Sequence, residues 1–213
     1  MKYLKMLGLA AVAAAALMAF AGAGTASATV LCHGEESPCT TKWTKSTEVE
    51  FILKPFTIAR WFTTQGITLN ECSGGSLRGT IVNAGSSTET VVISVAKESG
   101  GFNWSSCTTN QETVEGGEIE IHSISGSTNG TATMKGFKFR TDTTQYGTCY
   151  YGAGTGVHLG KITASKTGHA IIDIEVVLIK LAGSGALCPN DIEWWEEWEQ
   201  SAPKETAFFV EPS

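Results

Sequence analysis

"AIIDIEVVLIKL" (Ala170–Leu181) is the longest apolar stretch beyond the N-terminal leader, and whether it is a helix or a strand decides the fold class. Ile171, Ile172, Ile174, Val176, Val177 and Ile179 are β-branched, stiff at χ1 and suited to a pleated surface. No segment past the leader carries a helical apolar stripe. The stretch therefore predicts a central β-strand.

The same style continues outward from it. "EVEFIL" (Glu48–Leu53) alternates and then turns fully apolar. "FTIARWF" (Phe56–Phe62) places Phe56, Ile58 and Phe62 on one face, with Arg60 among them, and Thr57, Ala59 and Trp61 on the other. "GITLNEC" and "LRGTIV" flank Ser73-Gly74-Gly75, which reads as a turn. "EIEIHSIS" sets Ile119 and Ile121 against Glu118, Glu120 and His122. "GTATMKGFKFRT" alternates around Met134, Phe137 and Phe139, with Gly136 at a bulge position. "TVVISVAK", "FNWSSC", "GVHLGKITA", "IEWWEEWEQ" and "AFFVEP" bring the set to about a dozen short strands, with turn signals roughly every 8–12 residues. The expectation is an all-β fold, an antiparallel β-sandwich with Greek-key-like connections. Thr40–Thr47 reads as a polar connector rather than a domain boundary.

The chain opens with Lys2 and Lys5, an apolar run from Leu7 to Phe20, and then small residues ending in Ala26-Ser27-Ala28. That order predicts a secretory signal peptide over residues 1–28, cut after Ala28, and a single domain over 29–213. The run falls short of the roughly 20 residues that cross a bilayer, so no span is expected in the mature chain. Leu31 precedes Cys32 where a lipoprotein signal takes a small residue, which argues against lipid attachment. The 213 residues carry 15 Lys and Arg against 21 Asp and Glu, a formal charge of −6. Removing Lys2 and Lys5, with no acid in the leader, makes the mature charge −8. Phosphate would repel such a chain, so nucleic acid is excluded as a partner, and no basic run suits an anionic membrane surface.

Cys32, Cys39, Cys72, Cys107, Cys149 and Cys188 all lie beyond the expected cut. In an oxidising compartment an even count reads as disulfides, and there is no C-x-x-C pair to suggest a metal. About 15 pairings are possible, and joining neighbours in sequence is the favoured one: Cys32–Cys39, Cys72–Cys107 and Cys149–Cys188. The first bridge would tie down a new N-terminus that would otherwise fray.

Three stretches, "LCHGEESPC", "ITLNECSGGSLRGTIVNAG" and "CPNDIEWWEEWEQSAP", together resemble a family of secreted, disulfide-containing, β-rich bacterial proteins of uncharacterised function. In the third, Cys-Pro is followed by aromatics at the positions of Trp194 and Trp198 and by a proline at Pro203. The resemblance implies an exported β domain with the same three local disulfides, and brings no catalytic or binding residues with it. Glu193, Glu196, Glu197 and Glu199 stand where the family is Ser/Thr-rich.

The search for chemistry turns up little. The chain has no G-x-S-x-G nucleophile elbow and no H-E-x-x-H motif. His33, His122, His158 and His169 are scattered, although His158 and His169 can approach across a hairpin. "GAGTGVHLG" (Gly152–Gly160) has Val157 where a dinucleotide loop needs its third glycine, and it leads into a strand, so no cofactor is implied. "EWWEEWE" (Glu193–Glu199) is the one local feature with a chemical look. Tryptophans stack on sugars, and paired carboxylates hydrolyse glycosides. On a strand, Trp194, Glu196 and Trp198 share one face, while Trp195 and Glu197 share the other, so Glu196 and Glu197 cannot act as a pair. Inward packing is the plainer reading of Trp194 and Trp198, with Trp195 left among acids.

The leading expectation is a non-catalytic interaction or structural module, secreted or held at the cell envelope. Its partner would be an envelope component or an extracellular glycan. A carbohydrate-binding or carbohydrate-active protein using Trp194, Trp195 or Trp198 is the runner-up, and a small-ligand carrier with a cleft between sheets is the third.

Overall fold

The computed structural model describes residues 28–35, 38–95, 101–109 and 112–213. The expected leader, apart from Ala28, lies outside the described residues. Every regular element among them is a β-strand, and no helix is long and apolar enough to cross a membrane.

The chain begins with β1 (Thr29–Cys32), β2 (Glu48–Leu53) and β3 (Ala59–Thr63). It continues into β4 (Thr68–Ser86), whose 19 residues make it the longest strand. The sequence "CSGGS" within it is not the turn its composition suggests. Gly74 and Gly75 sit in continuous strand because β6 (Phe102–Cys107), which follows β5 (Glu89–Val95), runs tightly alongside. A Cβ on Gly74 would stand 2.6 Å from Ser105 Oγ, and one on Gly75 would stand 2.8 Å from the Asn103 carbonyl oxygen. Close backbone approach, not chain reversal, is what glycine supplies here.

After β7 (Thr113–Val114) come β8 (Gly117–Ser123) and β9 (Gly130–Lys135). Then follow β10 (Lys138–Thr143), β11 (Gly147–Gly152), β12 (Val157–Thr163), β13 (Ile171–Lys180), β14 (Asp191–Ala202) and β15 (Phe209–Pro212). Gly136, at φ 75°, separates β9 from β10 and is a turn position rather than a bulge within one strand.

The architecture corrects the expected sandwich. Around one ring the order is β4-β5-β8-β9-β12-β13-β14, and β14 closes back to β4 through β2 and β3, which share one wall position. Every ladder is antiparallel and the ring follows chain order. The result is an eight-position up-and-down barrel, with no Greek-key crossing and no second stacked sheet among the described residues. Ala170–Leu181 contains β13, central between β12 and β14 as its composition predicts. Two excursions, β6–β7 and β10–β11, leave and rejoin the wall at one end, where β11 pairs the end of β13 and β6 pairs the first half of β4.

The interior is filled. Alternation turns Val49, Phe51, Val91, Ile93, Ile119, Ile121, Met134, Ile172, Ile174 and Trp198 inward. On β3 it is Ala59, Trp61 and Thr63 that are buried, while Ile58 and Arg60 face out. Carboxylates such as Asp173, Glu175 and Glu193 point outward, the reverse of the apolar outer band of a membrane barrel.

The barrel's other end is closed by a ribbon of β1 paired with β15. Trp43, inside the stretch that reads as a polar connector, is buried beneath that ribbon, stacks on His33 at 4.7 Å and donates its indole N–H to the carbonyls of Cys32 and Ala207. Gly85, at φ 86°, lets the ribbon seat: a Cβ there would stand 1.7 Å from the Thr29 carbonyl oxygen. Gly85→Ala is expected to lift the ribbon and destabilise the fold by about 2–3 kcal/mol, read as a lower urea midpoint. An unchanged midpoint would show the ribbon contributes nothing.

The three disulfides are Cys32–Cys39, Cys72–Cys107 and Cys149–Cys188. The first holds the end of β1, the second joins register-paired residues of β4 and β6, and the third fastens β11 to the connection before β14. Among the described residues no cysteine is free. Such a set belongs to an oxidising environment.

Candidate functional site

β14 divides its side chains between two surroundings. It lies between β13 on one side and β2 and β3 on the other, so one face looks into the barrel and the other into solvent. Trp194 and Trp198 are fully buried, while Trp195 is 44% exposed. The segment therefore cannot present its three tryptophans to one ligand, and Trp195 alone of the three offers a ring to solvent.

Inside, Trp194 and Trp198 join Trp61, Trp104, Phe102 and Phe139 in one aromatic cluster. Phe102 stacks on Trp104 at 5.3 Å, and Phe139 meets Trp194 edge-on at 4.6 Å. Glu196 reaches into this cluster. Trp104 Nε1 donates to its Oε2 at 2.8 Å and Trp198 Nε1 donates to its Oε1 at 2.5 Å. The Trp194 indole also favours the ionised carboxylate, but its N–H lies outside normal hydrogen-bond geometry. Burial outweighs these donors, with no basic side chain to help, and the Glu196 carboxyl is pushed up to about 8.

A second buried carboxylate, Glu112, accepts from Asn70 Nδ2 at 2.9 Å and is pushed up by burial to about 7. Neither acid is legible in the sequence as special. Alternation places Glu196 inward, but charge alone reads as surface.

Outside, Trp195 meets Phe62 edge-on at 5.0 Å. Its cross-strand neighbours are Glu175 on β13 and Arg60 on β3. Arg60 is drawn away to Glu71 at 2.7 Å. Glu197, on the same face, bonds Lys54 at 2.5 Å and stands directly opposite Asp173. Burial raises the Asp173 carboxyl above its ordinary value and the charges of Glu197 and Glu175 raise it further, outweighing Lys161, which stands opposite it on β12, and Lys54. Beside Trp195 lies a depression of about 200 Å³ lined by Thr57, Ile58, Asp173, Glu175 and Glu197. A second, of about 310 Å³, adjoins it across Asp173 and Glu175 and takes in His158, Lys161 and Glu193.

The histidines do not gather. His169 pairs with Glu199 at 2.7 Å, and His158 lies in the second depression. Among the described residues no group of His, Cys, Asp or Glu is placed to hold a metal.

Fold and site together define a closed, disulfide-bonded, antiparallel β-barrel with a packed interior and an aromatic–acidic outer face. Comparison with family models, curated proteins and solved structures finds no match to this chain.

Proposed function

We propose that this is a non-catalytic interaction module, exported and working in the extracellular space or at the cell envelope, that binds its partner through the outer barrel face around Trp195. The observation that carries the reading is the division made by β14: its buried tryptophans fill the barrel, and Trp195 stands outside beside two shallow depressions. The two carboxylates with the most raised pKa values, Glu112 and Glu196, are sealed in the core rather than turned toward a substrate. A carrier would need an open interior, whereas here the space between the walls holds Trp104, Trp194, Trp198 and Tyr151. The three disulfides and the resemblance to exported β proteins support the location.

An envelope glycan is the second reading, favoured by the exposed indole. The test is binding of the purified protein to envelope preparations and to a glycan array, with Trp195→Ala beside the parent. Trp195-dependent binding is expected, with melting temperatures within about 4 °C of each other. Binding that survives Trp195→Ala undiminished would move the interaction face elsewhere and overturn the proposal.

A further inference from the structure

We infer that the face around Trp195 docks a lysine- or arginine-rich extended peptide segment of a partner protein; this names the partner for the surface proposed above and rests on that reading.

Carboxylates alone would be a solvated face. What marks this place is Trp195 held out among them and Phe56 held out on a turn whose next two residues line the same depression. Lys54-Pro55-Phe56-Thr57 forms a tight turn, with Thr57 N donating to the Lys54 carbonyl oxygen at 3.1 Å. Phe56 occupies the third turn position at φ 67°, where glycine or asparagine is the usual residue. A bulky residue there is strained, and its ring is wholly exposed at 107%. Neither cost is offset by a contact within the fold. The turn is nevertheless fastened in place. Lys54 N donates to the Glu197 carbonyl oxygen at 2.8 Å, Lys54 Nζ binds the Glu197 carboxylate, and Thr57 Oγ1 donates to the Lys54 carbonyl oxygen at 2.7 Å. Thr57 and Ile58, the next residues, line the depression beside Trp195. An exposed aromatic on a fastened, strained turn that leads into the depression beside an exposed indole is suited to holding a ligand.

Charge selects the occupant. Asp173 stands opposite Glu197 on β14 and opposite Lys161 on β12, and Glu197 is paired with Lys54, whereas among the described residues Glu175 and Glu193 make no ion pair. The face holds Asp173, Glu175, Glu193 and Glu197 against Lys54 and Lys161, so acid is in excess and an incoming cation at Glu175 or Glu193 meets a carboxylate with no ion pair of its own. A lysine or arginine side chain can lie over the Trp195 ring and reach Glu175 opposite it. A neutral sugar would use the ring but leave the carboxylate charge unanswered. Asp173 and Glu175 are two residues apart on one strand, about 7 Å, which matches alternate side chains of an extended peptide.

The test uses the disulfide-bonded protein and an acetylated ten-residue peptide of alternating arginine and serine, followed by calorimetry and tryptophan fluorescence at low salt. Saturable binding is expected. Trp195→Ala, Phe56→Ala and the Asp173→Asn/Glu175→Gln double variant should each weaken it about tenfold. Glu120→Gln, three strands away round the barrel, should weaken it less than about twofold. Equal losses for Glu120→Gln and the double variant would mean unspecific charge attraction and overturn the inference, as would no saturable binding. Trp195-dependent binding of a neutral oligosaccharide without peptide binding would overturn the inference and leave the proposed interaction face standing. Loss of all Trp195-dependent binding would remove both.

Discussion

Trp104→Ala is expected to leave little or no cooperatively folded protein. The side chain is 1% exposed at the centre of the aromatic cluster. Emptying such a site costs about 3–5 kcal/mol in lost transfer energy and residual cavity. The same change takes a donor from Glu196, which sits 3% exposed with Trp104 Nε1 on one carboxylate oxygen. A buried acceptor deprived of its donor adds about 1–3 kcal/mol. Against a typical total stability of about 5–15 kcal/mol the combined loss is decisive. Near-UV circular dichroism and the urea transition should both collapse. Trp104→Phe should lie between, since it keeps a ring over Phe102 while losing the N–H and part of the buried ring volume. Trp195→Ala, removing an indole of the same size from the same sheet, should move stability by less than about 1 kcal/mol. Comparable stability for Trp104→Ala and the parent would contradict the packed interior.

The second large effect is on pH. Glu196 titrates near 8 and Glu112 near 7 in the folded chain, against an ordinary value of 4.5. Above that ordinary value the unfolded chain has released both protons while the folded chain still holds them. The folded state therefore binds more protons, and stability falls as pH rises. The slope is about 1.4 kcal/mol per pH unit for each group while it differs between the two states. Glu112 stops contributing to the slope near pH 7 and Glu196 near pH 8; beyond that the penalty stays constant. Urea midpoints should drop steadily from about pH 5 to about pH 8. Glu196→Gln, which cannot ionise and keeps an acceptor for one indole, should flatten the last part of that decline. A midpoint that holds level or climbs over the range would show that both carboxylates are ionised in the folded state at little cost.

Much of the secondary structure is legible because strand formation is a local matter. The two-residue alternation of "EIEIHSIS" and the β-branched content of "AIIDIEVVLIKL" act within a few residues, and β8 and β13 appear where those patterns stand. Local composition misleads where a distant segment sets the requirement. Ser73-Gly74-Gly75 has turn residues, but the glycines serve the approach of β6, roughly thirty residues on. Trp43 sits among polar residues and is buried because β1 and β15 come together above it. For the candidate site, alternation separates Trp195 from Trp194 and Trp198, so the inner and outer faces of β14 are readable in advance. The contribution of Phe56 is not, because it depends on a turn docked against Glu197, far along the chain.

By itself the sequence determined the strand class and the division of β14 into two faces, both consequences of periodicity along a few residues, and it favoured one cysteine pairing among about 15. Closure of the wall into a barrel was decided only in three dimensions, where β14 meets β2 and β3 across more than half the chain. The burial of Glu196 among indoles was decided there too. Sheet closure depends on the registers of many long-range ladders at once, and a carboxylate's surroundings depend on what those ladders bring against it. Neither quantity is carried by any short run of residues.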